Sequence, residues 1–139
     1  MGAPGPTSRI FVYGTLRRDA PMHALLGEGA RFVATARFQG RLWDFGAYPG
    51  VTDSSRRADV VHGEVYELPP EDREEVFARL DRYEGDGFER AERPVTSDDG
   101  EVITAFVYLS LGSTRGARRV ASGDYVADLR SRDPAARLG

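Results

Sequence analysis

Apolar and polar positions change their period several times along the 139-residue chain, and each change marks an element. Arg9-Ile10-Phe11-Val12-Tyr13 is a short apolar, aromatic run stopped by Gly14, which predicts a first strand. Ala20 to Leu26 predicts a short helix ended by Gly27. Arg31 to Phe45 is rich in aromatic and β-branched residues and predicts one or two strands, with Gly40 as a bend or bulge. Gly46-Ala47-Tyr48-Pro49-Gly50 reads as a turn-rich loop. From Val60 to Leu68 the chain alternates, with Val61, Gly63, Val65 and Glu67 on one side, and predicts a second strand.

Leu68-Pro69-Pro70-Glu71-Asp72 is a helix-start signal, with proline preset for the first turn and acids near the positive end of the dipole. The predicted helix runs to about Tyr83. Val76, Phe77, Leu80 and Tyr83 share one face of it, and Gly85 is placed to cap its end. A hairpin follows, from Arg90 to Thr96, through the turn signal Asp99-Gly100, to Val102 to Leu109. Gly112 to Gly116 reads as a loop and Asp124 to Arg132 as a final helix. No repeat or linker interrupts the chain. The pattern predicts one α+β domain over residues 9–132, with tails at 1–8 and 133–139.

Composition narrows the chemistry. The chain has no cysteine, lysine or asparagine; all 19 basic residues are arginine, and there are two histidines. Thiol nucleophiles, Cys-ligated zinc, disulfides, Schiff bases and the lysine of a phosphate-binding P-loop are therefore excluded. His23 and His62 are far apart and form no His-x-x-x-His pair, so no metal site is expected. The net charge of −3 argues against nucleic acid as partner, and acids surround most of the arginine pairs Arg17-Arg18, Arg56-Arg57 and Arg118-Arg119. No apolar stretch is long enough to span a bilayer, and the first residues lack the pattern of a signal peptide. The expectation is a cytoplasmic protein without a membrane partner.

Two segments stand out. In Val12-Tyr13-Gly14-Thr15-Leu16-Arg17 a strand breaks into a loop whose successive N–H groups suit a carboxylate or phosphate, with Arg17 available for a bidentate contact. The same residues also suit an ordinary turn with a surface arginine. In Leu80-Asp81-Arg82-Tyr83-Glu84-Gly85, Glu84 lies at the negative end of a helix, between Asp81 and Asp86. Partial burial there would raise its pKa toward that of a general base, whereas full solvation would leave an unremarkable helix-end acid.

Together these segments resemble the γ-glutamylcyclotransferase-like (AIG2-like) family. Phe11-Val12-Tyr13-Gly14-Thr15-Leu16-Arg17 looks like its opening signature, and Leu42-Trp43-Asp44-Phe45-Gly46-Ala47-Tyr48-Pro49-Gly50 like its L-x-D-x-G-x-Y-P loop. Gly63-Glu64-Val65-Tyr66-Glu67-Leu68, Leu80-Asp81-Arg82-Tyr83-Glu84-Gly85 and Ser122-Gly123-Asp124-Tyr125 resemble three further motifs in the family's order. One departure occurs: Phe88-Glu89-Arg90 stands where members often carry Tyr-x-Arg.

The resemblance implies a small mixed β-barrel with flanking helices and a cavity at one end. It further implies that Glu84 is the catalytic acid/base, and that Tyr13, Gly14, Thr15 and Leu16 bind the amino-acid head of a γ-glutamyl substrate. Arg17 is counted with this substrate-binding loop. The implied reaction cyclises a γ-glutamyl amine or peptide to 5-oxoproline and a free amine. Such a substrate carries its own nucleophile, so no cofactor, metal or thiol is called for. The competing expectations are a barrel that binds a small ligand without turning it over, and an interaction domain with an exposed strand edge. A monomer and a homodimer are both compatible with the sequence.

Overall fold

In the computed structural model, which describes residues 7–18 and 20–132, the predicted strands close on one another. Strand β1 (Arg9–Val12) pairs antiparallel with β4 (Val60–Glu67), and β4 pairs with the long β2 (Arg31–Asp44). Beyond Gly40, β2 turns its other half to β3 (Pro49–Asp53). The circle closes through β6 (Val102–Ser110), which runs parallel to β3 at Val51↔Leu109 and parallel to β1 at Ile10↔Phe106. The result is the expected mixed barrel of five strands. Strand β5 (Phe88–Ser97) lies along β6 and touches β2 at Ala36 and Arg37, while β7 (Arg118–Arg119) extends β2.

The barrel wall has two buried faces. Along β1, Phe11 and Tyr13 point into the barrel, whereas Ile10 and Val12 point out beneath helix α1 (Arg73–Glu84). Strand β6 repeats the pattern, with Ala105, Val107 and Leu109 inside and Phe106 and Tyr108 under the helix. The helix lays Val76, Phe77 and Leu80 on that outer face, and the Phe77 and Phe106 rings meet edge to face at 5.0 Å. Helix α2 (Tyr125–Arg132) tucks Tyr125 against the barrel interior cluster.

Several boundaries differ from expectation. Helix α1 begins at Arg73, and Pro69 to Asp72 form the turn that leads into it. Ala20 to Leu26 yields only one 3₁₀ turn, His23–Leu26, because Ala20 and Met22 are already tied back to Arg17 and Thr15. The loop predicted at 46–50 is shorter. Its turn spans 45–48, closed by the Phe45 N–H donating to the Tyr48 carbonyl, and Pro49 and Gly50 belong to β3. The short β7 lies between the loop read at 112–116 and the final helix, where no element was predicted. Tyr83, expected on the core face of the helix, is 40% exposed. Of the two tails, residues 1–6 and 133–139 lie outside the described residues. Thr7 and Ser8 are tied to the barrel: the Thr7 hydroxyl donates to the Thr104 carbonyl, and the Ser8 carbonyl accepts from the Leu68 N–H at 2.9 Å. Among the described residues no helix is long and apolar enough to cross a membrane.

Candidate active site

At one end of the barrel, where β1 runs out, a cavity of about 340 Å³ opens between the loop after β1 and the C-terminal end of α1. Its floor is apolar and buried, built from Phe11, Val12, Leu16 and the rings of Tyr13 and Tyr108. The Tyr13 hydroxyl donates to the Tyr108 carbonyl at 2.9 Å and so pins the end of β1 to β6.

The loop itself is a tight turn in which the Arg17 N–H donates to the Gly14 carbonyl at 3.0 Å. The Thr15 and Leu16 carbonyls are taken by the Met22 N–H and by His23 Nδ1. Among the described residues no protein acceptor takes the Thr15 or Leu16 N–H. Gly14 is there because Pro49 presses on it: a Cβ at this position would stand 2.7 Å from Pro49 Cγ. The sequence-predicted residues Tyr13, Gly14, Thr15 and Leu16 all line the cavity.

Glu84 lines the opposite wall as the last residue of α1, just before the cap residue Gly85. Burial pushes its pKa up to about 7. The rise expected of a partly buried acid at this helix end is present, and burial is its cause. Asp81 is a different acid from Glu84. Burial works to raise its pKa, yet a bidentate Arg90 at 3.0 and 3.2 Å and the Tyr108 hydroxyl at 2.6 Å outweigh it and hold Asp81 ionised. Tyr13 is pushed well above the ordinary phenol range by burial first and by the charge of Glu84 second, and both residues line the cavity.

Arg17 does not line this cavity. Its guanidinium donates to Asp124 at 2.9 Å and lies 3.7 Å from Glu64, with its side chain 15% exposed. Asp124 in turn caps α2 through the Ala127 N–H, and Glu64 accepts the Arg18 N–H and the Tyr66 hydroxyl. Arg17 therefore ties the loop to β4 and to α2. Among the described residues no group of three His, Asp or Glu gathers that could hold a metal ion.

The family model described as gamma-glutamyl cyclotransferase, AIG2-like, matches residues 10–127. The chain belongs to the gamma-glutamylcyclotransferase, AIG2-like family. Its relatives include YkqA of Bacillus subtilis and PH0828 of Pyrococcus horikoshii, both named as candidate gamma-glutamylcyclotransferases. They are 30% and 33% identical over 118 residues, or 85% and 84% of this chain. The chain spans 41% of the length of YkqA and 90% of PH0828. The YkqA crystal structure superposes with a TM-score of 0.73 at 26% identity, covering 91% of this chain and 42% of that one. A mouse AIG2-like protein shares the fold, with a TM-score of 0.62 at 22% identity over 77% of this chain and 79% of that one.

Within this AIG2-like barrel, two aromatic residues at the cavity mouth, Tyr48 and Tyr83, stand outside the site residues the sequence pointed to, and Phe88, the departure noted in the sequence, joins them. Tyr48, Tyr83 and Phe88 line it, and the Tyr83 hydroxyl shares a 2.7 Å hydrogen bond with the Thr15 hydroxyl. Tyr48 lay in a segment read as a loop, and Tyr83 at a core spacing. Phe88, where many members of the family carry tyrosine, packs the edge of its ring on Tyr48. The signal available was the aromatic content of the matched motifs themselves.

Proposed function

We propose that this protein is a gamma-glutamylcyclotransferase that converts a γ-glutamyl amine or peptide into 5-oxoproline and a free amine, with Glu84 as general acid/base. The observation that carries this reading is a carboxylate, pushed by burial to a pKa of about 7, that lines the same small cavity as a loop of free backbone donors. The Thr15 and Leu16 N–H groups suit the α-carboxylate of the substrate. Tyr13 and Leu16 shape the apolar wall along its methylene chain. Arg17 serves from outside, by holding the loop.

The substrate's α-amine lies five ring atoms from its own γ-carbonyl. Folding it against the carbonyl makes attack intramolecular, which is worth up to about 7–11 kcal/mol when the geometry is right. The amine rests as an ammonium. Ionised Glu84 takes one proton; the free amine then attacks the carbon of the γ-carbonyl and forms the ring C–N bond. As the tetrahedral centre collapses, the amide C–N bond breaks and Glu84 returns its proton to the departing nitrogen. The second proton shed by the ring nitrogen balances the one that the released amine takes up from water. A pKa near 7 suits a group that must accept and then donate.

The test is incubation with a panel of γ-glutamyl amines and dipeptides followed by assay for 5-oxoproline. Release from at least one is the expected result. Ligand-induced thermal stabilisation with no product from any of them would instead identify a binding module.

A further inference from the structure

The cavity is graded from closed to open. Its deep residues are buried, and its exposed side chains are Tyr48, 48% exposed, and Tyr83, 40% exposed, with half-buried Phe88 between loop and helix. These rings lie where the cavity meets solvent. Tyr48 and Phe88 belong to one aromatic cluster, and Tyr83 is tied to the loop through the Thr15 hydroxyl. Phe45 stacks on Tyr48 at 5.5 Å with the planes 25° apart, and Phe88 meets Tyr48 edge-on at 5.8 Å. Exposed rings clustered at a cavity mouth favour a flat apolar partner, through offset stacking and edge contacts.

Charge points the same way. Among the cavity's lining residues Glu84 is the one ionisable acid, and no arginine joins it in a chain with 19. Arg17, beside Leu16 in sequence, is committed to Asp124, and Arg90, two residues past Phe88, to Asp81; Arg82, beside Tyr83, is exposed and outside the lining. The open depression beyond Phe88 is lined by Asp86 and by the Asp81–Arg90 pair. A leaving group bearing its own carboxylate would meet no arginine among the residues lining this cavity and would face Glu84 in a poorly solvated site.

Resting on the cyclotransferase reading, we propose that Tyr48, Phe88 and Tyr83 form a leaving-group subsite for aromatic amines that lack a carboxylate, rather than for amino acids or peptides. Three substrates separate the possibilities: γ-glutamylbenzylamide, γ-glutamylmethylamide and γ-glutamylglycine. The benzylamide is expected to show a kcat/KM about tenfold above the methylamide, the size of one good aromatic contact. γ-Glutamylglycine is expected to fall below the methylamide. Tyr48→Ala, at an exposed position, is expected to remove most of the benzylamide preference, and Tyr48→Phe to retain it. γ-Glutamylglycine matching the benzylamide, or a preference unaltered in Tyr48→Ala, overturns the subsite while leaving the cyclotransferase reading intact. Absence of 5-oxoproline from all three overturns that reading and the subsite with it.

Discussion

Glu84 owes its proton affinity to where the last turn of α1 ends. A carboxylate at a helix C-terminus receives no help from the dipole, and the cavity removes most of its water, so the neutral form is favoured. Two outcomes follow with opposite signs. As a base Glu84 works only when ionised, so kcat/KM of the proposed reaction should fall about tenfold per pH unit below about 7 and level off above it. Stability should move the other way. A carboxylate whose pKa rises from 4.5 to about 7 on folding stabilises the native state only while protonated. That contribution is fully present below about 4.5 and is lost as pH rises to 7. Each tenfold change in proton affinity is about 1.4 kcal/mol, so the cost at pH 8 is on the order of 2–3 kcal/mol once partial solvent access is allowed for. Glu84→Gln should therefore melt several degrees above wild type at pH 8, with the difference closing below pH 5. Thermal melts of both proteins across that range check the sign.

The elements meet at the loop after β1, which is held from three sides. Pro49 at the start of β3 packs on Gly14, Glu64 of β4 takes the Arg18 N–H, and Arg17 reaches Asp124 at the head of α2. Gly14→Ala forces Pro49 to move, and should cost about 1–3 kcal/mol together with a raised KM for the proposed reaction. Gly123, at φ +70°, is more constrained: a Cβ there would stand 1.8 Å from the Val60 carbonyl oxygen. Gly123→Ala should be the more destabilising of the two, as a denaturation midpoint would register. Much at this scale was legible in the sequence. The first strand, its break at Gly14 and the helix ending at Glu84 follow from periodicity and stop signals. Strand β3 was not legible, because Pro49 and Gly50 are turn formers whose strand conformation comes from pairing with β2 and β6. Tyr83 keeps the spacing of Val76 and Leu80, but α1 runs past the edge of the barrel, so its last ring faces the cavity mouth instead of the core.

Closure is the feature of the whole molecule that periodicity could not supply, since it depends on two parallel pairings between strands distant in sequence, β1 with β6 and β3 with β6. The family resemblance brought the barrel into view; local pattern supported only an α+β domain. Because β1 and β6 each contribute one face to the barrel interior and the other to the layer under α1, neither hydrophobic cluster can come apart alone. Denaturation followed by near-UV and far-UV circular dichroism should therefore give coincident single transitions, and separated midpoints would contradict this shared wall. The closed barrel also fixes Glu84 and the Gly14–Leu16 loop on facing walls, the arrangement on which the proposed chemistry depends. The most direct measurement is 5-oxoproline release at pH 8 by wild type and by folded Glu84→Gln, on the best γ-glutamyl amide of the panel. The account predicts product from wild type and a rate lower by about 10²–10⁴-fold in the variant. Equal rates, or no product from wild type on any member of the panel, would contradict it.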